Sequence, residues 1–420
     1  MKNITKTITL VVLFIVFVLC LICFKQWTST VNHIKVAKPT TGLVENNFPE
    51  WFPSYNVWGS SKDKRDFLVT PHTTNYEDWF IFIMDYKGKL KRSKRLNSYA
   101  YSFRNILGED GNIYYAYQQV EESTPRSYWA LEATHIVLMD ENLNEIDNNI
   151  KLLKYWWIPY DWYPSENHEY EVLWKNHYIL AAAIETTVEN IPGHEWESYY
   201  VFNNVIQAQK DWKVIWQRES IDYPELYNLW IDSDRESYDT KDSGTDEEKY
   251  SVADYAHINA FEYTDDHKLL ISFRNIGLVK VDLNTNKIIW VMSRKRNDIK
   301  WLNLEDVWLY QHDVEILDDW SFTIFDNSWS DTDNSRIVRY WVDDEKKELI
   351  DVKIYKSTRP KSKFMWSAYL ADELTDTYDI SYGWNMSDIA FEEFDFQNNK
   401  QLMWMRFDDW YDLYSIERGL

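Results

Sequence analysis

Three histidines in this chain hold the same place in a repeating strand pattern. His168 stands ahead of Tyr170-Glu171-Val172-Leu173, His257 ahead of Ala260-Phe261-Glu262-Tyr263, and His312 ahead of Val314-Glu315-Ile316-Leu317. They lie 7, 8 and 6 residues before the first turn residue of their hairpins, Lys175, Asp265 and Asp318. An imidazole can donate, accept or attack as a nucleophile. Arg274 ends the strand that returns beside His257, where cross-strand neighbours meet. A guanidinium offers paired donors to sulfate or phosphate oxygens. Three imidazoles and one guanidinium drawn together form an anion site able to carry group transfer. Three histidines also make a zinc ligand set, but Arg274 disfavours a cation, so no metal is expected. One histidine before a strand is ordinarily a loop residue, and the shared register is what sets these three apart. His33, His72, His135, His177, His194 and His267 lack it.

The elements that must position them repeat along the chain. One unit is an apolar strand, a turn and a second strand. It begins at Phe80 to Asp85, Ile136 to Asp140, Val205 to Gln209, Leu278 to Asp282, Ile337 to Asp343 and Phe391 to Asp395. The spacings between the turn residues 85, 140, 209, 282, 343 and 395 are 55, 69, 73, 61 and 52. A second hairpin lies between copies, at Ile106 to Tyr117, Tyr170 to Ile184, Ile258 to Phe273, Val314 to Phe325 and, more weakly, Tyr369 to Tyr382. Two hairpins per unit give four strands per unit, and six units predict a six-bladed β-propeller. A pair of β-sandwiches or a β-solenoid is the rival architecture. In a propeller the first strand of each blade faces the central channel, so the three histidines converge there. No helical periodicity competes with this pattern.

Composition agrees with an all-β fold. Aromatic residues make up 17% of the 420, and such side chains favour strands. With only 10 glycines, the turns must be built mainly from Asn and Asp. The formal net charge of −23 repels phosphate backbones, so nucleic acid is not an expected partner. The acidic stretch from Asp232 to Glu248 reads as an exposed insertion between blades. Cys20 and Cys23 both lie in the N-terminal apolar run, which leaves no disulfide framework, cysteine-ligated zinc or thiol nucleophile for the folded part.

That run, uncharged from Thr7 to Phe24 between Lys6 and Lys25, is about long enough to cross a bilayer. It has no small-x-small cleavage site after it. The expected organisation is therefore a cytoplasmic N-terminus over 1–6, a transmembrane signal anchor over 7–24, a stalk over 25–48 and a propeller over 49–420. The chain reads as a single-pass membrane protein with its large domain outside the cytoplasm. Phosphate-cradling glycine loops and the GxSxG elbow are missing, and no cofactor is expected. Tryptophan, at 23 residues, reads as blade packing.

Four segments resemble the arylsulfotransferase family, and the resemblance spans roughly residues 50 to 420. Asn167-His168-Glu169-Tyr170-Glu171-Val172-Leu173 is similar to its histidine-acid segment, and Asp254-Tyr255-Ala256-His257-Ile258-Asn259 to its Asp-aromatic-x-His-x-Asn motif. Leu270-Ile271-Ser272-Phe273-Arg274 resembles its Ser-x-Arg strand. Gln311-His312-Asp313 resembles its Gln-His motif, followed by Phe325-Asp326-Asn327 and Ser335-Arg336. Asn167 stands where the family often has an acid or a second histidine, and Met292 to Arg296 replaces a glycine-rich stretch.

The resemblance implies a six-bladed propeller that moves a sulfuryl group from a phenolic sulfate ester to a phenol through a sulfated histidine. Carried over, it implies His312 as nucleophile, with His168, His257 and Arg274 binding and neutralising the transferring group. His168 or His257 would serve as acid or base toward the phenol oxygen, and Asn259 and Arg336 are substrate-binding candidates beside them. The competing functions are a non-catalytic propeller for surface interaction or assembly, and a metal-dependent hydrolase using the three histidines.

Overall fold

The computed structural model describes residues 49, 51–73, 79–121, 133–154, 162–163, 165–191, 194–231, 237–239, 251–253, 256–264, 266–303, 311–327, 335–356, 367–382, 389–407 and 411–419. The anchor and stalk expected over 7–48 lie outside these. Among the described residues no helix is long and apolar enough to cross a membrane.

Six antiparallel sheets form the six blades. Blade 2 runs outward through Ala100–Leu107, Ile113–Val120, Thr134–Met139 and Glu145–Ile150. Blade 3 follows with Tyr170–Trp174, His177–Ile191, His194–Lys210 and Lys213–Glu219. Blade 4 is Ile258–Thr264, Lys268–Phe273, Gly277–Asp282 and Lys287–Met292. Blade 5 is His312–Ile316, Phe322–Asp326, Arg336–Asp343 and Glu348–Lys356, and blade 6 is Ala368–Asp372, Thr377–Ser381, Phe391–Asp395 and Lys400–Phe407. Each of the six repeat copies read from the sequence falls on the third strand of a blade.

The third strands are rich in apolar residues because both blade faces are covered, and polar residues within them, such as Gln207, Arg339, Glu392 and Glu393, are buried as well. Successive side chains point to opposite faces. In Trp79–Met84, the third strand of blade 1, Phe80 and Phe82 pack with Phe391, Met403 and Met405 of blade 6. Ile81 and Ile83 pack with Phe103, Tyr115 and Val137 of blade 2. The same division recurs at every junction: blades 2 and 3 around Leu138 and Leu180, 3 and 4 around Ile206 and Phe261, 4 and 5 around Trp290 and Tyr340, and 5 and 6 around Ile337 and Tyr378. Each fully buried large side chain contributes about 1.5–3 kcal/mol.

Blade 1 is assembled from both ends of the chain. Its innermost strand is Tyr411–Arg418, paired with Phe67–Thr73 so that Phe67 faces Arg418, and Trp79–Met84 and Leu90–Leu96 complete it. Tyr55–Gly59 adds an outer fifth strand to blade 6, with Tyr55 opposite Phe407. Ring closure is therefore made twice. Several turns use left-handed Asn or Asp as the glycine scarcity requires, at Asn176, Asp211, Asn286, Asp376 and Asn399.

Four features around blade 3 depart from the sequence reading. The blade 3 turn falls at Asp211-Trp212, both left-handed, rather than at Gln209, which still pairs with Val214. The central hairpin of blade 3 is unusually long, 15 and 17 residues per strand. A helix Pro224–Ile231, without a strong sequence signature, follows that blade. The acidic stretch is not only an insertion. Its Ser237–Asp239 pairs with Ser251–Ala253, which adjoins the blade 3 strand in parallel at Val201, so this part extends blade 3. Asp232 to Glu236 and Thr240 to Tyr250 lie outside the described residues.

Candidate functional site

The innermost strands surround a cavity of about 270 Å³ at the propeller axis, with lining residues from all six blades. At three places the strand that lines it is bulged, and a left-handed residue sits at or beside the bulge: Ser102 in blade 2, His257 in blade 4 and Asp313 in blade 5. A bulge re-aims side chains, and each non-glycine residue held there costs about 1–3 kcal/mol. The strain sits where the site is.

His168 lines the cavity just before the blade 3 inner strand. Its position is set by Glu166. One carboxylate oxygen accepts the His168 backbone N–H at 2.9 Å and meets Nδ1 at 2.5 Å, and the other accepts the Glu169 N–H at 3.2 Å. A carboxylate only accepts, so the proton belongs on Nδ1 and Nε2 is turned away as the working nitrogen. Glu166 is itself buried, its carbonyl held by Gln118 and Thr134. The sequence comparison placed a departure at Asn167. The structure supplies the acid one residue earlier.

His257 packs edge-to-face on His168, with ring centroids 4.8 Å apart. Its carbonyl accepts the backbone N–H of Arg274 at 2.8 Å, so Arg274 lies beside His257 as the strand pairing required. Asn259 lines the cavity. Its Nδ2 donates to the Gln311 carbonyl at 2.5 Å, while its Oδ1 is buried without a partner. Gln311 donates in turn to the Phe273 carbonyl at 2.8 Å, stitching blade 5 to blade 4 immediately before His312.

His312 opens the blade 5 inner strand and lines the cavity. Its Nδ1 lies 2.9 Å from the side-chain amide of Asn327. Arg336 does not reach the cavity. Its Nε donates to Asp326 at 2.6 Å within blade 5, which assigns it to the blade. His168, His312 and Asn259 thus share one cavity, His257 supports His168, and Arg274 is placed beside His257. Asp254 and Tyr255 lie outside the described residues.

Arg104 of blade 2 also enters the cavity and was not singled out in the sequence. It holds Glu169 at 2.7 Å and Glu417 at 2.9 Å, and donates to the Tyr170 carbonyl at 2.5 Å. A signal existed, since Arg104 stands six residues before Asp110, the same offset as His312 before Asp318. Carboxylates make up much of the wall. Burial pushes Glu169 up to about 8 against the pull of Arg104, Glu171 up to about 7, and Asp313 up to about 6.

The sign of the pH effect follows. Each of these groups holds its proton more tightly folded than unfolded, so its contribution to stability is full below about pH 4. It is lost as pH rises through about 6, 7 and 8. Thermal unfolding of the full chain should show a midpoint that declines from pH 6 to 8, and Glu171→Gln should flatten the decline. A wild-type midpoint level across that window would contradict the buried-carboxylate account.

No curated protein matches the chain. Among solved structures, a protein of unknown function from Bacteroides caccae is similar at TM-score 0.44 and 10% identity, covering 84% of this chain and 98% of that one. Apo AztD from Citrobacter koseri is similar at 0.37 and 8%, covering 85% and 100%. The Dos1 propeller is similar at 0.36 and 8%, covering 81% and 65%. Similarities this slight bear on no residue of the site. The arylsulfotransferase (ASST) family model matches residues 166–366, the stretch that carries His168, His257, Arg274 and His312. Over that region the chain is similar to the arylsulfotransferase family.

Proposed function

We propose that the chain is an aryl sulfotransferase that moves a sulfuryl group from a phenolic sulfate ester to a phenol by way of a sulfated His312. The observation carrying this reading is that His312 and His168 line one cavity, each with a side chain holding its Nδ1. The cavity, about 270 Å³, is at the small end of ligand sites and suits a single substituted ring.

In the first step the Nε2 lone pair of His312 forms a bond to sulfur while the bond from sulfur to the phenolic oxygen breaks. The phenolate leaves with that electron pair and takes a proton from His168. In the second step the acceptor hydroxyl gives its proton to His168, its oxygen bonds to sulfur, and the nitrogen–sulfur bond breaks back to His312. His168 suits both roles, because Glu166 on Nδ1 stabilises the imidazolium. His257 and Arg274 are assigned to the sulfuryl oxygens, as preorganised donors to the charge on the transferring group. A metal-dependent hydrolase has less support, since no group of three His, Asp or Glu side chains among the described residues is placed to hold a metal ion.

The full chain, purified in detergent, should release nitrophenolate from 4-nitrophenyl sulfate only when a phenol is added, and should form the aryl sulfate of that phenol. Release that ignores the phenol and yields inorganic sulfate would indicate hydrolysis instead. We further propose that residues 7–24 anchor the chain, with the propeller outside the cytoplasm. Protease added to intact cells should then digest the propeller, and an untouched propeller would reverse the orientation.

A further inference from the structure

Besides His168 and His312 the cavity wall carries the carboxylates of Glu169, Glu262, Asp313, Glu315 and Glu417, against the single guanidinium of Arg104. Arg104 is committed to Glu169 and Glu417. Asp313 accepts the Ala368 N–H at 2.7 Å, and Glu315 only a long 3.5 Å contact from the Leu370 N–H. Burial pushes Glu262 and Glu315 well above the usual carboxylate range, and neighbouring acids push them further.

A second observation is independent of the acids. The Ser415 hydroxyl oxygen, in a residue only 6% exposed, lines the cavity and has no hydrogen-bond partner. It stands two residues from Glu417, on the same strand face. Asn259 likewise leaves a buried amide oxygen unpartnered at the cavity wall. An unpartnered buried acceptor is costly, and here such acceptors sit beside carboxylates short of positive charge. The matching group is compact, positively charged and rich in N–H donors, which describes a primary ammonium. The Tyr369 ring, also in the wall, offers a face to a cation.

Length agrees. From His312 to Glu315 is three residues, but the bulge between His312 and Val314 takes up one, which leaves about 7 Å along the strand. That is roughly a phenol ring with a short tail. Resting on the sulfotransfer reading, we propose that the acceptor is a phenol bearing an alkylammonium group. Its hydroxyl lies at His168 and His312, and its ammonium lies among Glu262, Glu315 and Ser415.

The test uses the full chain in detergent with 4-nitrophenyl sulfate as donor, and compares tyramine with 4-ethylphenol, its neutral counterpart, as acceptors. Calorimetric binding of each without donor runs alongside. Charge-assisted hydrogen bonds predict a preference for tyramine of about tenfold or more in kcat/KM and in affinity. Glu262→Gln should narrow that ratio, and Ser415→Ala should narrow it less. Equal use and equal binding of the two phenols by the wild type would overturn the proposal, whichever variants fold. Preferential binding of tyramine with no turnover of either would keep the cation end and remove the sulfotransfer reading. Turnover of both at equal rates would do the reverse.

Discussion

Replacing His312 by alanine is expected to lower kcat/KM for phenol-dependent nitrophenolate release by about 10⁴-fold or more, the scale seen when a covalent nucleophile is lost. The side chain lies at the first residue of an inner strand, half-buried on the cavity, so its removal leaves the blade packing intact and the unfolding midpoint near that of the wild type. Mass spectrometry after a donor pulse should find one added sulfuryl group on the wild type at His312 and none on the variant. A His312→Ala enzyme within tenfold of the wild type would end the covalent reading. Asn327 belongs to the same prediction. Its amide meets Nδ1 of His312 at 2.9 Å, and its Oδ1 is buried without a partner. When the amide turns to present that oxygen, Nδ1–H donates to it and the Nε2 lone pair faces the donor. Asn327→Ala should cost about 10²-fold, in kcat rather than KM, through loss of this alignment.

The largest stability effect is expected not at the histidines but at the ring closure. Arg418 ends the innermost strand of blade 1, and its side chain is fully buried. It donates to Asp379 at 2.5 and 2.9 Å, to Glu393 at 2.7 Å and to the Ser61 hydroxyl at 2.9 Å, and lies 3.7 Å over the Phe67 ring. Asp379 and Glu393 belong to blade 6, so one guanidinium joins the first and last blades. Arg418→Ala leaves two buried carboxylates without their cation, which should cost about 3–5 kcal/mol. Burial holds Asp379 up at about 7 even with Arg418 present. At low pH it is protonated in both proteins. The loss therefore grows as pH rises through about 7. Denaturant unfolding at pH 5 and pH 8 measures it, and a loss under 1 kcal/mol at pH 8 would contradict the closure role.

Much of the fold was legible because local physics wrote it locally. The run Phe80-Ile81-Phe82-Ile83 is apolar at every position, since a middle strand of a blade is covered on both sides, and similar runs, some interrupted by polar residues such as Lys280 or Glu392-Glu393, marked the other third strands. The intervening hairpins carried their own turn signals. Closure was not legible. Phe67 pairs with Arg418 across almost the whole chain, and no local pattern records such a partner. The long hairpin His177–Ile191 with His194–Lys210 also went unread, because length beyond the blade needs no change in alternation.

The site divides the same way. Register along the repeat was enough to single out His168, His257 and His312, because equivalent positions in a radial repeat face one axis. Register also held the clue to Arg104, which stands at the same offset before its turn as His312 does. Arg336 was only a substrate-binding candidate in the sequence, and pairing placed it in an ion pair within blade 5, while Arg274 came to lie beside His257. The sequence by itself determined the residue types, their spacing and the number of blades. Only the tertiary structure decided that Glu166 rather than its neighbour holds His168, that Asn327 meets His312, and that five carboxylates share the cavity with two of the histidines. The Glu166 contact is local but needs the backbone path before blade 3, the Asn327 contact joins two parts of blade 5, and the shared cavity exists only once the ring has closed.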